Sequence, residues 1–435
     1  MNRQQEAVTE YIDARRDELV ELMQTMIRTR SINPAFDPDS PGEAAMAELV
    51  KSRYEGIGIP VETVEAVPGR PNLIATWKGT TSTPRLLVNA HLDTHPADLG
   101  EWFDPFTAEL RTEWSVDPFG GEIRDGKIYG RGAADHKSPI AAILFALEAL
   151  GAAGVRLRGD VTCIHDVDEE TGGEYGMQHL SERLPFDYDM ALYACTSEFS
   201  PLGREFFPAM GTDNIIRSFS GWQTYRIHVV GQNLHNISPK RGYGAVEAAL
   251  FLLDRLRPLI DKVNAYVDPV EGQGQSPMRV SGIDCAPRGA FHHQARWAEI
   301  TVNRRIPPSL KQDQARMEVQ QVLAAHNAAY PENQATLAVV RDMQPYGVPD
   351  DHPLVTGLSA AVRDMTGAEP TVAGVPSPVG ISTMLGKHAI PTVLFGYGVL
   401  NLHHAIDEHI ECDALVKTAK VYAAALMEWL GVAES

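Results

Sequence analysis

The sequence predicts an α/β protein, a layered domain with at least some parallel pairing in its sheet, interrupted by a smaller βαββαβ-like insert. Three observations carry this expectation. Short apolar runs alternate with helical runs through the first half of the chain, the pattern of strands packed under helices. From about Thr224 the pattern changes, and near Leu354 it returns to the earlier kind. The chain has 435 residues, 44% of them hydrophobic, which is too long for one compact core and apolar enough to bury two.

Taken in order, residues 1–31 read as a charged amphipathic helix, followed by a Pro-rich loop from Asn33 to Gly42 and a second helix from about Glu43 to Glu55. Residues 60–64, 73–77 and 85–90 read as strands, and 138–151 as an apolar helix. Residues 160–165 read as another strand and the apolar run 190–195 as a further, buried one. In the insert, Tyr225–Val230 alternates with period two, 244–256 is a strong helix, 297–302 a strand and 312–329 a helix. The last part returns to alternating α/β with 354–366, 392–395 and 413–430. The simplest partition is 1–216 and 346–435 as two pieces of one domain around an insert at 217–345. A local echo, Trp102-Phe103-Asp104-Pro105-Phe106 against Trp114 through Asp117-Pro118-Phe119, is too short to imply a repeat architecture.

Lys and Arg total 38 against 57 Asp and Glu, a formal charge of -19, which argues against nucleic acid or an anionic membrane as partner. Four cysteines, Cys163, Cys195, Cys285 and Cys412, lack any C-x-x-C spacing and are expected to be reduced and mostly buried. The N-terminal segment lacks the apolar core of a signal peptide, and no run reaches about 18 apolar residues. A soluble, cytoplasmic protein is the expectation.

The chemistry begins at His91-Leu92-Asp93, which directly follows the apolar run 86–90, so a buried strand ends by presenting a histidine and a carboxylate. Residues i and i+2 of a strand share a face, which lets Asp93 accept the second ring N–H of His91 and fix its orientation. Asp135 lies in the Gly-rich run 129–137 just ahead of a helix, where an aspartate is also a common N-cap. Asp168-Glu169-Glu170-Thr171-Gly172-Gly173 follows the strand 160–165. Adjacent carboxylates repel one another and gather either in a solvated turn or around a cation. Glu198 follows the strand ending at Cys195, and His404 follows the strand 392–395. Each lies beyond the carboxyl end of a strand, where open α/β sheets place ligands. Imidazoles and carboxylates form a borderline N/O set that suits Zn²⁺, with Mn²⁺ or Co²⁺ feasible, for one or two divalent ions.

At these residues the chain resembles the co-catalytic metallopeptidases that include acetylornithine deacetylase, succinyl-diaminopimelate desuccinylase, aminoacylase and glutamate carboxypeptidase. The resemblance rests on His91-Leu92-Asp93, on Trp114 through Asp117-Pro118-Phe119 to Gly130-Arg131-Gly132, on Asp135-His136-Lys137, on residues 168–173, and on His404 with Asp407-Glu408, in that order. It implies a metallopeptidase catalytic domain, a mixed sheet flanked by helices, plus an inserted α+β ferredoxin-like lid and dimerisation domain. It implies that Asp135 bridges two metal ions, that His91 and Glu198 complete one, and that Glu170 and His404 complete the other. Asp93 then supports His91. Glu169 becomes the general base, taking a proton from metal-activated water and returning it to the leaving nitrogen. In relatives the bridging aspartate precedes a cis peptide, so Asp135–His136 is expected to be one. Residues 231–236 resemble the segment whose histidine reaches the partner's active site and stabilises the oxyanion, which gives His235 that role. Residues 303–307 resemble the segment bearing an arginine for a substrate carboxylate, with Arg305 the better aligned. The expected partners are a small-molecule substrate and a second copy of the chain, through the insert.

The chain also departs from that pattern. Relatives have Glu-Pro-Thr where this chain has Glu198-Phe199-Ser200, and an aspartate after a small residue near Ser377-Pro378-Val379-Gly380. His136 replaces a common methionine, and the second Trp-x-x-Asp-Pro-Phe copy implies an insertion near the cleft. His95, His292, His293 and His403 are candidates to line the pocket, but are read in the first place as loop or structural residues. The implied activity is hydrolysis of an amide C–N bond in a small, carboxylate-bearing molecule such as an N-acyl amino acid or dipeptide. One alternative is removal of an amino group from an aromatic amino acid such as a nitroanthranilate. Another is a non-catalytic metal-binding scaffold, against which Glu169 speaks, since a scaffold does not need a non-ligand carboxylate beside its ligands.

Overall fold

A computed structural model describes residues 2–98, 100–207, 209–232, 235, 242–286, 293–377 and 388–434, the side chain of Phe206 excepted. The chain divides into two compact units. The first comprises Met1–Arg217, Val348–Ala373 and His388–Ser435; the second comprises Ser218–Gly347 with a short return segment from Gly374. That return segment lies within the part of the chain which the sequence reading left wholly to the outer domain.

In the first unit, helices α1 (Arg3–Ala14) and α2 (Arg16–Arg28) stand where one helix was expected. The break is at Arg15, whose backbone leaves helical values (φ -113, ψ 23). Helix α3 (Ala44–Gly56) follows, then strands β1 (Val61–Glu65), β2 (Pro71–Trp77) and β3 (Arg85–Asn89). Helix α4 (Ser138–Ala152) leads to β4 (Asp160–His165), β5 (Met190–Ala194) and β6 (Asn214–Phe219). Helix α4 is apolar nearly all round and is buried from Ser138 through Leu147, as a helix covered on several sides must be.

The second unit runs β7 (Gly221–Val230), α5 (Ala245–Ala265), β8 (Met278–Ala286), β9 (Trp297–Ile306), α6 (Gln312–Ala329) and β10 (Ala335–Met343). Its sheet has the order β8-β9-β7-β10 with every pair antiparallel, the arrangement of a ferredoxin-like βαββαβ unit. Tyr225, Ile227 and Val229 of β7 point inward and pack with Ala248, Leu252 and Leu256 of α5 and Val319 and Leu323 of α6. The intervening residues of β7 face outward, which is the period-two pattern visible in the sequence.

The chain then completes the first unit with α7 (Pro353–Thr366), β11 (Thr392–Phe395) and α8 (Cys412–Leu430). The order across its sheet is β1-β2-β4-β3-β5-β11-β6. Strands β4, β3, β5 and β11 are mutually parallel, whereas β2 pairs antiparallel with β1 and β4, and β6 antiparallel with β11. Helix α8 packs on α4, α7 and α1. Among the described residues, no helix is long and apolar enough to cross a membrane. Cys163, Cys195 and Cys412 are buried and Cys285 is half-buried, all of them free thiols.

Candidate metal centre

Four adjacent parallel strands open their carboxyl ends on one edge of the sheet. Beyond β3 come His91, Asp93 and His95; beyond β4, Glu169 and Glu170; beyond β5, Cys195; beyond β11, His403 and His404. Asp135 and His136 arrive from the Gly-rich loop that opens α4. A cis peptide joins Asp135 to His136, as the resemblance implied.

Asp135 is the centre of the cluster, and its two carboxylate oxygens face in different directions. Oδ1 lies 3.2 Å from His91 Nε2 and 3.2 Å from His136 Nε2. Oδ2 lies 3.0 Å from His404 Nε2 and 3.2 Å from His403 Nδ1. On the second side, Glu170 Oε2 is 3.0 Å from His404 Nε2 and 3.2 Å from His95 Nε2. On the first side, His136 Nε2 is 3.0 Å from Cys195 Sγ. Three groups have donor atoms close enough together for one ion: His91/Asp135/His136, His136/Cys195/His403 and His95/Glu170/His404. Glu169 stands beside them, with Oε2 3.9 Å from His91 Nε2 and Oε1 3.5 Å from the Tyr193 hydroxyl.

Neighbouring backbone and side chains orient these groups. His91 Nδ1 is 3.0 Å from the main-chain carbonyl of Asp93 and 3.5 Å from that residue's Oδ1, so the Nδ1–H donates inward and the Nε2 lone pair is left facing Asp135. The Asp93 carboxylate has a second task. It accepts the backbone N–H groups of Glu169 (3.2 Å) and Glu170 (3.1 Å) and the Asn33 amide (2.8 Å). Asp93 thereby ties the β3 and β4 loops together. Glu408 does the same for the Asp135 loop: Oε1 accepts from the backbone N–H of Ala134 (2.8 Å) and Asp135 (3.1 Å), and Oε2 from that of Gly132 (3.2 Å) and from Arg131 Nη1 (2.6 Å). Arg131 and Glu408 are both buried. Gly132 has φ +85°, and a Cβ there would come within 3.0 Å of Lys137 and Thr94, so the loop needs a glycine at that point.

The electrostatics are those of a cluster short of positive charge. Burial, opposed by His91 and aided by Glu170 and Asp135, pushes Glu169 up to about 8. Burial and the Asp135 charge work to raise Glu170 as well, but His404 and His95 hold it below the usual carboxylate range. Asp135 stays well below that range despite its burial, because four imidazoles surround it. Burial lowers His404, yet Asp135 and Glu170 carry it up to about 10. Protons are thus held on Glu169 and His404 where water would leave these groups unprotonated, and a divalent cation would supply the same charge. Hydrogen bonding agrees: among the described residues, Glu170 Oε1, His95 Nδ1 and His136 Nδ1 are buried without a hydrogen-bond partner. Imidazole, carboxylate and thiol donors at these spacings fit divalent ions of the first transition row and zinc.

The structure brings His91, Asp135, Glu169, Glu170 and His404 together. It sets Glu198 apart: Glu198 Oε2 accepts the Gly398 N–H at 3.0 Å, its backbone bridges Val399, and it belongs to none of the close donor groups among the described residues. Burial pushes its carboxyl up to about 7. The reason is geometric. β5 ends at Ala194 and the very next residue, Cys195, already faces the cluster, so three residues later the chain has turned away to pair with Val399. His95 and His403, read from sequence as loop or structural residues, lie at the cluster, as does His136, noted from sequence as standing where relatives have a methionine. Their signal was faint, since a histidine next to a ligand looks like any loop histidine. His235 and Arg305 lie in the second unit. His235 bridges His293, with ring centroids 5.2 Å apart, and the Arg305 guanidinium stacks 4.3 Å over the Trp222 ring. Residues 233–234, 236–241, 287–292 and 378–387 lie outside the described residues, and with them His292 and most of the Ser377–Gly380 segment.

The model of peptidase family M20/M25/M40 matches residues 87–428. Among curated relatives, the N-formyl-4-amino-5-aminomethyl-2-methylpyrimidine deformylase of Halalkalibacterium halodurans is 25% identical over 98% of this chain and 97% of its own length. The acetylornithine deacetylase of Vibrio campbellii is 24% identical over 94% of this chain and 98% of its own. Among solved structures, the Bacillus subtilis YxeP protein, described as a dinuclear metal-binding peptidase of family M20, shares the fold with a TM-score of 0.66 at 15% identity, over 97% of this chain and 100% of that one.

Proposed function

The chain belongs to peptidase family M20/M25/M40 and is a hydrolase of C–N bonds, and we propose that it cleaves the amide bond of a small, carboxylate-bearing N-acyl amino acid or dipeptide with Glu169 as general base. The observation that carries this reading is the two-faced Asp135, with His91 on one oxygen and His404 on the other, Glu170 against that same His404 nitrogen, and Glu169 beside them as a carboxylate that need not be a ligand. His91, Asp135, Glu170 and His404 would hold divalent ions there, Zn²⁺ before Mn²⁺ or Co²⁺, which would supply the Lewis acidity that activates water and a scissile carbonyl.

The chain's own residues do the rest. Asp93 holds the Glu169 backbone N–H, which fixes where that side chain starts. Glu169 accepts a proton from the attacking water and delivers it to the leaving nitrogen, and its place beside the cluster, with Oε2 3.9 Å from His91 Nε2, suits it to that task. His235 is assigned to the oxyanion and Arg305 to the substrate carboxylate on the strength of the resemblance, which also supports a homodimer built through the second unit.

The test is a panel of N-acyl and N-formyl amines, N-acyl amino acids, dipeptides and aminobenzoates, scored for the product released. Release of a carboxylic acid supports the reading. Release of ammonia from an aromatic amine, with no acid from any amide, replaces it with deamination.

A further inference from the structure

The place directly beyond β5 is occupied by a sulfur. Cys195 Sγ is 3.0 Å from His136 Nε2, which is in turn 3.2 Å from Asp135 Oδ1, the oxygen that faces His91. Cys195 and His136 are 2% exposed, and among the described residues His136 Nδ1 has no hydrogen-bond partner, so the only polar neighbours of that ring lie on the side of the cluster. His403 borders the group: its Nδ1 is 3.2 Å from Asp135 Oδ2, the oxygen that faces His404, and its Nε2 is 2.7 Å from the Thr196 hydroxyl. Donor atoms around a tetrahedral ion with bonds of about 2.0–2.3 Å stand roughly 3.3–3.8 Å apart. His136 belongs to two close donor groups, with His91 and Asp135 and with Cys195 and His403, and the neighbouring separations along Cys195–His136–Asp135–His91 run from 3.0 to 3.2 Å.

We propose that Cys195, as a thiolate, and His136 join His91 and Asp135 as ligands of the first of the two ions, in the place Glu198 was expected to fill. The centre then has unlike poles, a softer one of nitrogen, oxygen and sulfur, and a harder one of His95, Glu170, His404 and Asp135. On binding, the Cys195 thiol loses its proton to solvent as the sulfur–metal bond forms, and the thiolate and Asp135 balance the charge of the ion. A thiolate discriminates against Mn²⁺, so the first pole selects Zn²⁺ or Co²⁺ while the second accepts either class.

This inference rests on the metal-dependent reading above, and Co²⁺ separates the two. The wild-type chain, stripped with chelator and reloaded with Co²⁺, is expected to bind two ions and to show a thiolate-to-cobalt charge-transfer band in the near ultraviolet. Cys195→Ser loses the band and one of the two ions, while Cys285→Ser keeps both. Cys195→Asp, which restores an anionic ligand should the serine variant fail to fold, is expected to keep two ions without the band. Two bound ions with no charge-transfer band in the wild type, or a band that survives in Cys195→Ser or Cys195→Asp, would overturn the thiolate assignment and leave the metal centre standing. A wild-type chain that binds no Co²⁺ overturns both.

Discussion

Asp135 is the residue on which the account of the site turns, because each of its oxygens faces a different set of ligands. Removing it is therefore expected to cost both ions: Asp135→Ala should lose nearly all bound metal by elemental analysis, whereas His404→Ala should keep about half. A second residue-scale expectation concerns His165. It is fully buried, its Nδ1 donating to the Ala90 carbonyl and its Nε2 accepting from the Tyr54 hydroxyl, and burial depresses its pKa from 6.5 to about 4. The folded-state value lies below the unfolded one, so this contribution to stability is complete above pH 6.5 and is lost as the pH falls towards 4. Between pH 7 and 5 the loss is about 2 kcal/mol. The check is a difference: the change in urea-derived stability of the chelator-treated protein between the two pH values should differ by that amount between wild type and His165→Gln, since the raised Glu169, Glu198 and His404 act equally in both. At this scale the sequence was legible wherever a residue's type announced its chemistry. His91, Asp135, Glu170 and His404 were such residues. Cys195 was not, because a lone buried cysteine reads as core and because a carboxylate, Glu198, stood three residues away to draw attention.

At the scale of elements, the site exists because β4, β3, β5 and β11 are parallel neighbours whose loops leave from one edge. That much follows from alternating strands and helices, and it was legible. What the pattern could not show is how the loops are held. Glu408, in the connection from β11 to α8, clamps the Asp135 loop through three backbone N–H groups and Arg131. Apart from Arg131 its partners are main-chain groups, which carry no sequence signal. Glu408→Gln is expected to keep the fold and weaken metal binding by roughly 10–100-fold, measured by competition with a chromogenic chelator. Glu408→Ala, which strands a buried arginine, should destabilise the protein by about 3–5 kcal/mol. The N-terminal helix was read as continuous because nothing in its periodicity marks Arg15. Strand β8 escaped notice for a related reason: it is an edge strand with most side chains exposed, and exposed edges lose the apolar alternation by which strands are recognised.

At the scale of the whole molecule, two units serve different ends. The first carries every residue of the metal cluster, and the second is a ferredoxin-like unit with a core of its own. If the second unit is the dimerisation surface, sedimentation at micromolar concentration should give twice the chain mass, and His235→Ala should lower kcat without changing metal content. A monomer with full activity contradicts that role. The most direct test of the central claim is the turnover of Glu169→Gln, metal content in hand, on whichever amide substrate the wild type hydrolyses. A protein with its ions intact and kcat reduced by roughly 10²–10⁴-fold is the expected result. Undiminished turnover with the ions still bound would contradict it.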